Sequence, residues 1–401
     1  MTTRTADPVP TGTPLHLALF LADLTGGGAE RAVLNLGGGI ARRGHRVDLV
    51  LSAATGAFID EIPDAVNVVD LRAGRVARAI APLARYLRRQ RPDVMLSTLH
   101  HACVAASVAN AVSRTNTTVF LRESSTPSAR AGEQQDVRAR VLRAAMHWAY
   151  ARAAGVIAVS DGVAGDLRSV FDVPAEKLWT LYNPIVTNDL ERMAAVDPRH
   201  PWFDVGEPPV VLGVGRLRDY KGFLTLLDAF ARVRAERAVR LMVLGEGPQR
   251  EELEARTVAL GIGGDVVFPG FVANPFSYMR RASVYVLSSH FEGLPGTLIQ
   301  AMACGCHVVA TDCRSGPAEI LADGRFGELV GVGDTSAMAR AIVRSLDEPR
   351  VSSADLRARA ARYAVDPVVS AHLAAFEHVL ARSHTTRGSG SAQLRAARDS
   401  S

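Results

Sequence analysis

From Leu15 onward the chain alternates short apolar runs with longer amphipathic segments, and beyond Pro184 the alternation begins again. Runs such as LHLALFLA (15–22) and VYVL (284–287) are almost continuously apolar, the pattern of strands buried on both faces of a sheet. The segments between them have helical spacing. Ile80, Leu83, Ala84 and Leu87 share one helix face, and Phe223, Leu226, Leu227 and Phe230 share another. Strand–helix alternation of this kind predicts parallel sheets with right-handed crossovers. At 401 residues the chain has room for two such domains with proper cores. The reading is α/β, with two Rossmann-like doubly wound domains at 15–184 and 208–365 and a polar, Pro-marked linker at 185–207. Residues 1–14, rich in Thr and Pro, and 383–401, rich in Ser, Gly and Arg, are expected to be unstructured.

Composition excludes several classes. No apolar run approaches the roughly 20 residues that span a bilayer. Leu15–Leu24 follows a segment with Arg4 as its only basic side chain, so it reads as a first strand rather than a signal core. A cytoplasmic protein with reduced, buried thiols is expected, since Cys103, Cys304, Cys306 and Cys313 form no paired metal-ligand pattern. A net charge of +5 and the arginines of the 76–90 segment suit peripheral contact with an anionic membrane, although a merely solvated face explains them as well. No nucleic-acid partner and no cofactor are expected.

The chemistry concentrates at strand ends. Glu292 follows the VYVL strand in a loop with Gly293, Pro295 and Gly296, and a helix of about two turns then runs to Gly305. The first amides of that helix, at Gly296, Thr297 and Leu298, have no helical acceptor and suit a phosphate, with Gln300 one turn further on. Gly26, Gly27 and Gly28 form a similar turn after the first strand, weak by itself. Gly215 closes another strand, and Arg216 and Lys221 flank the next helix start, two cations able to meet a diphosphate. Further strand ends carry Gly245, then Phe271 and Val272. Two more end in His100–His101 and in Arg122–Glu123.

These residues together resemble family 4 of the retaining nucleotide-sugar glycosyltransferases, with a GT-B fold. The family hallmark is a Glu, seven residues and a second Glu, then a small-residue helix and a VVATD strand. This chain has Glu292 and VVATD, with Gln300 in place of the second acid. GGAER after the first strand, GRL with KG at 213–222, and YNP at 182–184 extend the resemblance over nearly the whole chain. It implies two domains facing across a cleft, with helix 366–382 returning to the first. It also implies Arg216 and Lys221 on the diphosphate, Glu292 on the donor hexose, Gln300 on the ribose, and the turns at Gly245 and Phe271–Val272 around the base. Gly27 and Gly28 would face the diphosphate and acceptor. Many relatives have a His after the strand that here ends in Arg122–Glu123, so Glu123 or His101 is expected to touch the transferred sugar.

No Asp-x-Asp pair occurs, which points to a metal-free site where Arg216, Lys221 and helix amides meet the charge. The implied reaction is retaining transfer from a nucleotide-sugar, UDP-sugar favoured, to a lipid-linked or polysaccharide acceptor in cell-envelope glycan synthesis. A small soluble acceptor in secondary metabolism, or a nucleotide-sugar epimerase, is the alternative.

Overall fold

The computed structural model describes residues 13–126, 128 and 137–398, so residues 1–12 and 399–401 of the expected unstructured ends lie outside the described residues. The described residues form two compact units. One takes those up to Val159, Val163–Tyr182 and those from Asp366 on; the other takes Ser160–Gly162 and Asn183–Val365.

The first unit holds strands β1 (His16–Leu21), β2 (Arg46–Leu51), β3 (Asn67–Asp70), β4 (Val94–Thr98), β5 (Thr118–Glu123), β6 (Gly155–Ala158) and β7 (Leu178–Thr180). All are parallel, in the order β3-β2-β1-β4-β5-β6-β7. Its helices are α1 (Gly28–Arg42), α2 (Val76–Gln90), α3 (His100–Ser113), α4 (Val137–Arg152) and α5 (Asp161–Phe171). In the second unit, β8 (Val210–Val214), β9 (Arg240–Leu244), β10 (Val266–Gly270), β11 (Val284–Leu287), β12 (His307–Thr311) and β13 (Glu328–Val330) make a parallel sheet ordered β10-β9-β8-β11-β12-β13. Its helices are α6 (Leu190–Ala194), α7 (Phe223–Glu236), α8 (Arg250–Ala259), α9 (Pro275–Arg281), α10 (Gly296–Ala303), α11 (Pro317–Leu321), α12 (Thr335–Asp347) and α13 (Ser353–Ala360). The last helix, α14 (Val365–Arg398), belongs to the first unit from Asp366 on.

Central strands are buried from end to end, as their apolar runs require. The α7 face Phe223, Leu226, Leu227 and Phe230 packs with Val211, Val243 and Val286 of the sheet and with Met338 and Ile342 of α12. The glycines of α1 have a packing reason. A Cβ on Gly37 would lie 2.9 Å from Leu19 Cδ1, and one on Gly38 2.9 Å from Pro63 Cγ, so α1 sits closer to the sheet than alanine permits. On α14, Val368, Val369, Leu373 and Phe376 are buried, with Phe376 edge-on to Phe120 at 4.8 Å. All four cysteines are free and buried.

Two expectations need correcting. Residues 185–207, read as a linker, are built into the second unit: Val186 bridges Ala364, and Leu190, Ala194 and Phe203 are buried. The few apolar residues there fall where they can be buried, and Pro and Gly only shape the turns. Residues 383–398, read as part of a disordered tail, continue α14, where the run QLRAAR favours helix.

Asp48 on β2 is a carboxylate with no exposed surface. It accepts from Tyr86 at 2.6 Å, from Asn67 at 3.0 Å and shares 2.8 Å with His16 Nε2. Burial alone raises its pKa, but the bonds from His16, Tyr86 and Asn67 outweigh it and hold the pKa well below the usual carboxylate range. Its contribution to stability is therefore complete above the unfolded value of about 3.9 and is lost as the pH falls towards the folded one. Asp48→Asn should cost about 3 kcal/mol in urea unfolding at pH 7. The gap from the native protein should narrow as the pH is taken below about 4.

Candidate active site

Strand order reverses once in each sheet, between β1 and β4 and between β8 and β11. Open α/β sheets hold ligands outside the carboxyl ends of strands at such reversals. In the second unit the loops leaving β8 and β11 are tied to each other. His290 N donates to Tyr220 O at 2.7 Å, Ser288 Oγ donates to Lys221 O at 2.8 Å, and the Tyr220 and Phe291 rings stack at 5.0 Å. Gly222, the N-cap of α7, has φ +64°, and a Cβ there would lie 2.1 Å from Ser288 O. Gly245 has φ +138°, and its Cβ would lie 1.9 Å from Gly215 O, so the β8 and β9 ends meet at a distance only glycine allows.

Within this frame Lys221 Nζ donates to Glu292 Oε1 at 2.6 Å, and Ser289 Oγ donates to the same oxygen at 2.7 Å. Both charged side chains are largely buried, 16% and 11% exposed. Burial works against the ammonium ion, but Glu292 outweighs it and raises the Lys221 pKa above the ordinary lysine value. Lys221 is thus a fixed cation at neutral pH. The resemblance had given Lys221 and Glu292 separate tasks; the structure pairs them. Arg216 lies exposed on the loop directly after β8.

Helix α10 begins at Gly296 after Pro295, and Gly305 (φ +80°) ends it as its position suggested. The amides of Gly296, Thr297 and Leu298 make up its first turn, where no helical acceptor exists. The buried Tyr285 donates its hydroxyl to Thr297 Oγ1 at 2.6 Å, which fixes that oxygen and leaves its own hydrogen to be donated elsewhere. Gln300 is partly buried one turn on. Phe271, 78% exposed, and the half-buried Val272 follow β10.

In the first unit, Gly26 (φ +103°) and the N-cap Gly27 open α1 at Gly28, where a Cβ would meet nothing within 4 Å. The ends of β4 and β5 are joined by His100, whose Nε2 lies 2.8 Å from Glu123 Oε2, while Tyr150 OH donates to Glu123 Oε1 at 2.5 Å. His101 is exposed on α3 and is not the histidine brought to Glu123. Glu123 is 1% exposed. Leu99, the N-cap of α3, has φ +77°, a strained value for a branched side chain, and it sets His100 in place. Arg122 faces the other side of β5 and is fully buried; burial lowers its pKa to about 10. Sequence reasoning did not single out Ser289, Tyr285 or Tyr150, which carry no local signal. It named the His100–His101 pair at a strand end and favoured His101.

Residues 208–348 match the family model described as Glycosyl transferases group 1, and residues 26–189 match that described as Glycosyltransferase Family 4. The fold is that of the GT-B class, and the two models, side by side over most of the chain, support a glycosyltransferase of family 4 type. It is 32% identical over 205 residues to N-acetylgalactosamine-N,N'-diacetylbacillosaminyl-diphospho-undecaprenol 4-alpha-N-acetylgalactosaminyltransferase of Campylobacter jejuni, covering 51% of this chain and 54% of that one. It is 25% identical over 285 residues to the lipopolysaccharide 1,6-galactosyltransferase of Salmonella typhimurium, covering 69% and 72%. The chain spans about half the length of the Campylobacter enzyme and of several other curated relatives. Among solved structures, Anabaena Alr3699/HepE in complex with UDP-glucose superposes with a TM-score of 0.72 at 21% identity, over 93% of this chain and all of that one.

The contact at Gly222 is testable apart from catalysis. Gly222→Ala should cost about 2 kcal/mol or more in urea unfolding, because the new Cβ meets a backbone carbonyl at a positive φ. Gly28→Ala, with open space around it, should cost under about 1 kcal/mol in the same measurement.

Proposed function

We propose that this protein is a retaining, metal-independent glycosyltransferase. It moves a hexose or N-acetylhexosamine from a UDP-sugar to a hydroxyl of a lipid-linked or polysaccharide acceptor in cell-envelope glycan synthesis. The observation that carries this reading is the buried Lys221–Glu292 pair at the β8 and β11 ends, with Arg216 on the same β8 loop and the first turn of α10 following Glu292. A nucleoside diphosphate leaves as a polyanion, and cations and helix amides already fixed in place stabilise that charge without reorganising. The bond that breaks joins the anomeric carbon to a β-phosphate oxygen. The bond that forms joins that carbon, on the same face, to the acceptor oxygen, whose proton passes to the departing diphosphate. Glu292, oriented by Lys221 and Ser289, would accept from donor-sugar hydroxyls. Thr297, fixed by Tyr285, would donate to a phosphate oxygen.

UDP as the nucleotide is supported by the UDP-glucose in the Anabaena structure's description, and a lipid-linked acceptor by the diphospho-undecaprenol in the Campylobacter enzyme's name. His100, presented by Glu123 and Tyr150, is the side chain of the first unit assigned to the sugar or acceptor, in place of His101.

UDP at about 100 times its Kd should raise the melting temperature by several degrees, and Arg216→Ala should remove most of that shift. Transfer should be unaffected by a chelator, and proton NMR of the product should show the anomeric configuration of the donor. Loss of turnover with the chelator, an inverted product, or stabilisation by GDP alone would each overturn the corresponding part.

A further inference from the structure

The loop that carries Glu292 is tied to the β8 side by Ser288 and His290. On its other side it meets β12. Strands β11 and β12 pair in register from Val284 with His307 to Leu287 with Ala310. Beyond that last pair, Thr311 Oγ1 donates to Ser289 O at 2.6 Å, with Leu287 O further off at 3.4 Å. A hydroxyl has one hydrogen, and the shorter contact takes it. Ser289 in turn donates its own hydroxyl to Glu292 Oε1 at 2.7 Å, the oxygen that also accepts from Lys221. A continuous connection therefore runs from β12 through Ser289 to the carboxylate.

Burial gives this connection its stiffness. Thr311 and Ser289 have no exposed surface, so water cannot replace either hydroxyl. The backbone of Thr311 is fixed as well, paired with Val330 of β13. Cys313 lies against Thr311. Burial first and Glu292 next push its thiol up to about 12, so it stays protonated and adds no negative charge beside Glu292. The β12 run HVVAT is apolar until its carboxyl end, where valine would have the same shape and a strong strand preference. The hydroxyl at 311 serves the contact with Ser289 rather than the strand.

We infer that Thr311 is a positioning residue for the transfer reaction: through Ser289 it sets the Glu292 carboxylate where the donor sugar is held. What Glu292 does with a sugar rests on the transferase reading above; the placement of its carboxylate does not. UDP carries no sugar, so substitutions at 311 should separate nucleotide binding from turnover.

UDP release in water is followed from UDP-glucose, UDP-galactose, UDP-N-acetylglucosamine and UDP-N-acetylgalactosamine, and the variants are compared on the donor that the native protein turns over fastest. Thr311→Val should lower kcat about tenfold with the donor KM within about twofold, because a slightly misplaced carboxylate costs most in the transition state. Thr311→Ser, which keeps the hydroxyl, should bring kcat back to within about threefold of native. Thr311→Ala repeats the loss should valine disturb the packing. Ser289→Ala should lose at least as much, and the Thr311→Val/Ser289→Ala double variant no more than Ser289→Ala alone, as for residues acting in series. All should keep the UDP-induced thermal shift. In protein labelled with carboxyl-13C glutamate, the Glu292 resonance, assigned by its loss in Glu292→Gln, should move in Thr311→Val and stay in place in Thr311→Ser. Native kcat in Thr311→Val, a Thr311→Ser variant as impaired as the valine one, losses that multiply in the double variant, or an unmoved Glu292 resonance would each overturn the inference. Absence of UDP release from all four donors in the native protein would strike the transferase reading alone, and the carboxyl resonance would then decide the placement.

Discussion

Lys221 and Glu292 leave adjacent strands of one sheet, and each would be an expensive group to bury alone. Their 2.6 Å contact offsets that cost, and it works only because the loops carrying them are held in register. Gly222 lets the backbone of one loop run against the carbonyl of Ser288 in the other, and His290, Ser288 and the Tyr220–Phe291 stack complete the tie. A residue with a side chain at 222 would push the loops apart and leave two charges half-solvated. The ion pair and the glycine contact are thus one constraint. The orientation of Glu292, the entry into α10 and the place of Thr297 follow from it.

The first unit uses a different device. Two of its buried carboxylates, Asp48 and Glu123, are satisfied mainly by tyrosine hydroxyls and imidazoles, with the Arg46 guanidinium 3.4 Å from Asp48 as well. Asp48 lies on β2 with Asn67 on the neighbouring strand, and its role is stability. Glu123 ends β5 beside a strained Leu99, where the same chemistry orients a histidine. The contrast between them is one of position along the strand, since ligand chemistry collects at carboxyl ends.

Much of this was legible from residues alone. Near-continuous apolar runs fixed the strands as parallel and doubly covered, and the placement of Glu292, Gly296 and Gly305 gave a strand, loop and two-turn helix close to those observed. Arg216 and Lys221 were singled out by the glycine turn before a helix, a recognisable local signal, together with the family resemblance. Pair partners were not legible. That Lys221 meets Glu292 depends on which strands are neighbours, and β8 and β11 are separated by three crossovers that the local pattern does not order. Which histidine of the pair meets Glu123 was not legible either, because it turns on the φ of Leu99, a residue whose type gives no hint of a positive value. The 185–207 segment misled for the converse reason: proline and glycine there shape turns within a unit as readily as they mark a linker.

The coupling between Lys221 and Glu292 is the measurement that bears most directly on this account. A double-mutant cycle of Lys221→Met and Glu292→Gln, read by urea unfolding at neutral pH, should give a coupling energy of about 1.5 kcal/mol or more, with each single change costlier than the pair removed together. Additive costs, with no coupling beyond about 0.5 kcal/mol, would contradict it.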